Sequence, residues 1–310
     1  MRLIRKPRHR IPELADGCVA TIGAFDGLHI GHRRILDRVL VKAREFGLPA
    51  LVMSFDPTPK EFFIPDNPPA RLMCMREKFM ALDEIGIDVF FCPRFNRELS
   101  RQTPDEFIDE FLVRLTGLQH MVIGDDFRFA HKRSGSVADL QRRGAEQGFT
   151  VEQVGSVIER DVRVASSLVR ERLRDGDCAG AAELLGRPYR MSGQVVEGEK
   201  LGRTLGMPTA NVRLKRMLSP VRGIFAVRVG GADGDKWLNG VASVGTRPTV
   251  DGVEPLLEVH IFDFDRDIYG AQIQVEFVAK LRDEEKFPDL ESLKEQMFRD
   301  AAEARAMLRA

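Results

Sequence analysis

The chain has 310 residues, 43% hydrophobic and 30% charged, enough to bury one large core or two ordinary ones. Lys plus Arg equals Asp plus Glu, 47 against 47, so no overall field favours a nucleic acid or an anionic membrane. No apolar run approaches the roughly 18–20 residues that span a bilayer. Cys18, Cys74, Cys92 and Cys178 form no CxxC pair and no metal-ligand spacing, which fits reduced thiols in a cytoplasmic protein. The first ten residues are basic (Arg2, Arg5, Lys6, Arg8, Arg10) without the apolar run of a signal peptide, and read as a solvated tail.

Residues 18–22 read as a buried strand. Ile35, Leu36, Val39, Leu40 and Ala43 then recur at helical spacing and stop near Gly47. A strand at 50–55, a helix at 76–85 and a strand at 88–92 follow. Thr103-Pro104-Asp105-Glu106 is a capping box that starts a helix running to about Leu115. A strand at 120–123 and a helix at 137–147 complete an alternation that argues for a doubly wound parallel sheet. After about Gly186 the texture changes. Short strand-like segments at 189–196, 224–229, 237–244, 256–262 and 272–281, parted by Gly, Pro or Asp, predict a small antiparallel barrel. A final helix carries the stripe Leu290, Leu293, Met297, Ala301, Ala304 and Leu308. The expected domains are therefore 1–186 and 187–310.

Gly23-Ala24-Phe25-Asp26-Gly27-Leu28-His29-Ile30-Gly31-His32 lies between the first strand and first helix, where an open parallel sheet presents its ligand loops. Gly23 and Gly27 permit a tight turn, and Gly31 allows close approach of a ligand. His29 and His32, three apart, share one face of a helical first turn whose free N–H groups and dipole suit a polyphosphate. Two histidines at a helix start can be plain surface residues; the glycines and the strand–turn–helix context favour a site. Zinc would need a third and fourth ligand that this spacing does not supply. In the second half, Gly193, Gly198, Gly202 and Gly206 make a loop able to wrap phosphates, without the Gly-Lys-(Ser/Thr) of a Walker A loop. Glu258 and His260 fall on one face of a strand, Val259 and Ile261 on the other.

The first motif resembles the nucleotidyltransferase signature in its prokaryotic FAD synthetase version, where Gly23, Phe25, Asp26 and Gly31 surround the ATP phosphates and His29 and His32 contact them. Phe55-Asp56-Pro57-Thr58-Pro59 is similar to a family segment with His in place of Thr58. Gly124, Asp126, Phe127 and Phe129, then Arg133 and Gly135, resemble the family's flavin and nucleotide loop, with Ala130 replacing a Gly. Ala165-Ser166-Ser167-Leu168-Val169-Arg170 is similar to Ser-Ser-Thr-x-x-Arg, Ala165 and Ser167 being the departures. The run from Gly193 through Gly198, Gly202, Arg203, Gly206 and Pro208-Thr209-Ala210-Asn211 resembles the riboflavin kinase signature, in which Thr209 and Asn211 would hold Mg²⁺. Gly240 to Thr249 and the Leu257-Glu258-Val259-His260 strand also resemble that family. The segment Leu281-Arg282-Asp283-Glu284-Glu285-Lys286-Phe287 is similar to its flavin-side stretch, which makes Arg282 a flavin-binding candidate.

The resemblance spans nearly the whole chain and implies two activities: riboflavin and ATP to FMN, then FMN and ATP to FAD, both with Mg²⁺. Glu258 would be the kinase base, since a hydroxyl nucleophile must lose a proton. His29, His32 and Arg170 would stabilise charge during adenylyl transfer. Two other readings stay open: a kinase with a weak or inactive adenylyltransferase module, and a non-catalytic flavin- or nucleotide-binding regulator. A tRNA-charging enzyme shares His-x-Gly-His, but the chain has no Lys-Met-Ser-Lys-Ser-like loop and no basic bias.

Overall fold

The computed structural model describes residues 1–159, 162–198, 201–249 and 252–309. It divides into two compact units, Met1–Pro69 with Lys78–Val164, and Ala70–Glu77 with Ala165–Ala310.

The first unit holds strands β1 (Arg2–Ile4), β2 (Cys18–Ile22), β3 (Ala50–Met53), β4 (Val89–Phe91), β5 (Leu118–Gly124) and β6 (Thr150–Val154), with a small hairpin of β7 (Ile158–Glu159) and β8 (Val162–Arg163). Its helices are α1 (Ile30–Phe46), α2 (Pro59–Phe63), α3 (Met75–Ile85, whose first three residues count with the second unit), α4 (Pro104–Phe107) and α5 (Val137–Gln147). The sheet order is β1-β4-β3-β2-β5-β6, and each neighbouring pair is parallel. β2 is buried along its whole length, as a central strand covered on both faces must be. From β2 the chain winds one way to β3 and β4, while β5 lies on its other side. The crevice beyond the carboxyl ends of β2 and β5 is therefore the switch point where such sheets take ligands.

Local signals survive folding. Leu36, Val39 and Ala43 are the buried face of α1, and Gly47 ends it in the left-handed conformation at φ 67°. Thr103 and Glu106 form the expected reciprocal capping box; the helix begun by α4 widens into a π-helix over Ile108–Leu115. The basic N-terminus corrects the expectation of a solvated tail. Arg2–Ile4 pairs with Val89–Phe91 as the edge strand of the sheet, and Ile4 packs against the core. A three-residue strand is too short to show a period, and its flanking arginines are the charges that blunt a sheet edge.

The second unit contains α6 (Ser166–Arg174), α7 (Cys178–Leu185), β9 (Tyr189–Val196), α8 (Leu201–Thr204), β10 (Ala210–Arg213), β11 (Gly223–Asp233), β12 (Lys236–Thr249), β13 (Gly252–Ile261), β14 (Gln272–Arg282) and α9 (Leu290–Arg309). The six strands close into a barrel in the order β10-β13-β12-β11-β14-β9. Phe225, Val227 and Val229 alternate along β11 as fully buried positions. Against the outside of the wall, Ala301, Ala304 and Leu308 of α9 pack on Met207, Ala226, Val241 and Phe262, with Met297 alongside. Leu290, expected in that stripe, is 57% exposed because it is the first residue of the helix.

Segment Ala70–Glu77 is held to the barrel by a buried ion pair. Arg216 Nη2 donates to both Glu77 carboxylate oxygens at 2.7 and 2.6 Å, and Nη1 donates to the Tyr189 hydroxyl at 2.9 Å. The Ser192 and Cys74 amides also donate to Glu77, so the carboxylate meets the hydrogen-bonding condition for burying a charge.

Candidate active sites

In the first unit the β2–α1 loop is built around two stacked imidazoles. His29 is the N-cap of α1: its Nδ1 accepts from the His32 amide at 3.2 Å. The rings stack with centroids 3.6 Å apart and 14° between planes. Gly31 leaves room for this, since a Cβ there would lie 3.2 Å from the His29 ring. Phe25 supports the pair from the core side, its ring 5.1 Å from that of His32. Gly23 makes space for Phe25, whose ring would lie 3.0 Å from an added Cβ. Phe25 is 1% exposed, its ring packed beside the imidazole of His32. Asp26 is also buried.

Burial lowers the His29 pKa to about 4, although Asp26 opposes the shift. Burial, and after it the neighbouring His29 and Lys78, hold the His32 pKa well below the ordinary histidine value. Both rings are thus neutral near pH 7. Because His29 Nδ1 is an acceptor, its proton sits on Nε2, which becomes a donor. Among the described residues His32 Nδ1 is buried with no hydrogen-bond partner. Lys78 of α3, missed in the sequence, is 6% exposed and donates to the Ala24 carbonyl at 2.6 Å. It lies on the face shared by Met75, Leu82 and Ile85, and a lysine on an apolar stripe is the signal that could have found it.

The loop after β5 closes through a bridge in which Phe129 and Gly135 exchange backbone hydrogen bonds of 3.2 and 2.9 Å. Gly135 lies under the Phe129 ring, 2.7 Å from where a Cβ would be, and Phe127 stacks on Phe129 at 5.6 Å. Asp126 pairs with Arg163 at 2.7 Å, and Arg133 is exposed. Ala130 occupies φ 61°, ψ −166°, a region open in practice to glycine alone. Ala130→Gly is therefore expected to stabilise the protein by about 1 kcal/mol, the relief of strain exceeding glycine's added unfolded-chain entropy. A higher urea midpoint at unchanged slope checks this. Thr58 has a local purpose of its own, capping α2 through a box with Glu61.

Ser166, Ser167 and Arg170 belong to the second unit. Ser166 and Ser167 open α6 behind the N-cap Ala165, which provides no side-chain cap. Arg170 Nε donates to the Ala70 carbonyl at 2.6 Å.

On the outer wall of the barrel, register brings distant residues into one row. Asn211 of β10 lies opposite Glu258 of β13, Glu258 opposite Ser243 of β12, Ser243 opposite Ile224 of β11, and Ile224 opposite Arg282 of β14. Directly opposed residues point to the same face. Thr209, Ile224, Ser243, Glu258, His260 and Arg282 line a single cavity, closed on one side by Leu293, Met297 and Asp300 of α9. The glycines of the expected phosphate loop fit their side-chain neighbours. A Cβ at Gly198 would strike the Asn211 amide, and one at Gly202 would strike the Met207 carbonyl and approach Thr209 Oγ1 to 3.3 Å. Gly206 turns the loop at φ 85°, and Arg203 is exposed.

Arg282 donates to Asp300 through Nε at 2.9 Å and Nη2 at 2.7 Å, and lies 5.7 Å from the Phe287 ring. Ser243 and Asp300 were not singled out from the sequence. Asp300 interrupts the stripe of α9, which was its only mark; Ser243 needed the register. The side chains of Arg247, Pro248 and Thr249 in the neighbouring motif lie outside the described residues. Among the described residues no group of three or more His, Cys, Asp or Glu could hold a metal ion. Thr209 and Asn211 nevertheless offer neutral hard oxygens, in keeping with Mg²⁺ bound mostly through ATP phosphates.

Residues 11–168 match the FAD synthetase family model and residues 185–308 the riboflavin kinase model. The bifunctional riboflavin kinase/FMN adenylyltransferase of Escherichia coli K12 is 45% identical over 305 residues, covering 98% of this chain and 97% of that protein. Its Haemophilus influenzae counterpart is 44% identical, covering 99% of each. A solved structure from Streptococcus pneumoniae, described as a macrolide-efflux protein, is 29% identical with a TM-score of 0.78, covering 94% of each chain. Among the described residues of this chain, no helix is long and apolar enough to cross a membrane. With both family models matched in order and such identity along its whole length, the chain belongs to the bifunctional riboflavin kinase/FMN adenylyltransferase family.

Proposed function

We propose that this enzyme phosphorylates riboflavin to FMN at the barrel cavity and adenylylates FMN to FAD at the stacked-histidine centre. The observation that carries the first half is the row Asn211–Glu258–Ser243, which sets a carboxylate between two neutral polar groups, Glu258 and Ser243 lining the cavity. Glu258 takes the proton of riboflavin's terminal hydroxyl as that oxygen attacks the γ-phosphorus of ATP; the β–γ bond breaks and ADP leaves. Thr209 and Asn211 would hold Mg²⁺, which when bound with ATP offsets the negative charge of the phosphates. Gly198, Gly202, Arg203 and Gly206 form the phosphate loop, and Arg282, fixed by Asp300, borders the flavin.

In the second reaction the FMN phosphate, already anionic near neutral pH, attacks the α-phosphorus of a second ATP and pyrophosphate leaves. No base is needed there. The neutral His29 and His32 donate hydrogen bonds to the transferring phosphoryl oxygens. Ser166, Ser167 and Arg170 are assigned to the nucleotide on the likeness of their motif alone. Asp126, Phe127, Phe129 and Arg133 serve the flavin and nucleotide. We set the functional boundary near residue 186, beside the start of the kinase match at 185. Four free, buried cysteines and zero net charge support a cytoplasmic setting and small-molecule partners rather than nucleic acid or membrane.

The test supplies purified protein with riboflavin, ATP and Mg²⁺ and separates products by chromatography. FMN is expected first and FAD later, and chelating the metal is expected to stop both. FMN alone would leave a kinase with an idle second module; neither product would favour a binding protein.

A further inference from the structure

The backbone ladder between β10 and β13 ends at Ala210–Val259, after Asn211–Glu258 and Val212–Leu257. Thr209, one of the two residues assigned to Mg²⁺, therefore sits one position beyond the last rung. Pro208 before it has no N–H with which to prolong the ladder. A strand end held by no further rung frays. Here a side chain supplies the rung: His260 Nδ1 lies 2.8 Å from the Pro208 carbonyl. That carbonyl can only accept, so Nδ1 carries the proton and donates. Continued by one residue, the antiparallel register sets His260 opposite Thr209. The ring is itself braced edge-to-face by Phe262, with centroids 5.7 Å apart. His260 also shares the cavity with Glu258, two residues earlier on the same strand.

We propose that His260 is a positioning residue of the kinase centre, pinning the Pro208–Thr209 segment to the strand that carries the base. The pin sets the spacing between the metal-holding oxygens and the Glu258 carboxylate, which backbone pairing alone would leave loose on one side. The inference rests on the kinase reading above.

The test compares His260→Asn, His260→Gln and His260→Ala in the full chain. Asn puts an N–H where Nδ1 was; Gln carries it one bond too far. ADP affinity is measured by calorimetry with Mg²⁺ and with excess chelator, beside kcat and KM for MgATP in FMN formation. Far-ultraviolet circular dichroism and a cooperative urea unfolding transition report that each variant is folded. His260→Ala is expected to weaken MgADP binding about tenfold, leave metal-free ADP binding unchanged, and raise KM more than it lowers kcat. His260→Asn should recover most of the loss and His260→Gln should not. Equal loss with and without metal, or Asn performing no better than Gln, would overturn the proposal. If the Ala variant fails to fold, the Asn–Gln comparison decides. A wild-type enzyme that makes no FMN would sink the kinase reading, while the metal-dependent binding comparison would still judge His260.

Discussion

Glu258→Gln is expected to slow FMN formation by about 100- to 10,000-fold, the range that general-base catalysis contributes. Gln keeps the size and much of the hydrogen bonding of Glu beside Asn211 and Ser243, so the β10–β13–β12 register has no reason to change. What it loses is the ability to accept the proton of the attacking hydroxyl. KM for riboflavin and for MgATP should therefore move little while kcat falls. Conversion of supplied FMN to FAD should continue at the wild-type rate, because the nucleophile of that step is already ionised. A loss of only a few-fold would remove Glu258 from the role of base, and equal loss of both activities would point to unfolding.

His29→Asn is expected to do the reverse, slowing FAD formation about 100- to 1,000-fold with FMN formation kept. Asn is a good N-cap and can still accept from the His32 amide. It lacks the Nε2–H, and it removes one ring of the stacked pair. Activity in the wild type should show no histidine titration between about pH 6 and 8, since His29 ionises only near 4. Stability should reveal the shift instead. The folded state keeps His29 neutral down to about pH 4, whereas an unfolded histidine takes up its proton near 6.5. Between those values the unfolded chain binds more protons, so stability is full above 6.5 and falls as the pH drops toward 4. The shift corresponds to about 3 kcal/mol for this one group. His32 and His120 are shifted in the same direction, also chiefly by burial, and steepen the decline. Urea midpoints followed from pH 7 to 5, above most carboxylate titration, should give a shallower slope for His29→Asn than for the wild type. Parallel slopes would mean that His29 is not held neutral by burial.

Much of this was legible in the residues alone, for reasons of range. The α1 stripe, the Gly47 stop, the Thr103 capping box and the strand–helix alternation are set by neighbours within a turn or two, and they recur in the fold. The two glycine-bearing motifs could be found because tight turns demand glycine locally. Other features depend on partners far away in the chain. The β1 edge strand needs Val89–Phe91 beside it, and the Glu77–Arg216 pair joins residues 139 apart. The row from Asn211 to Arg282 exists only once five strands take their register.

Departures from the motif could be seen as departures but not weighed. Thr58 proves to be a helix cap, while Ala130 is forced into a glycine conformation. The histidines show the division most sharply. Their spacing already placed two imidazoles on one helical face, ready for phosphate. That both are neutral, with the His29 proton on Nε2, follows from burial and from the His32 amide. Spacing is a local property of the backbone, whereas desolvation is the work of every chain segment that closes over the ring.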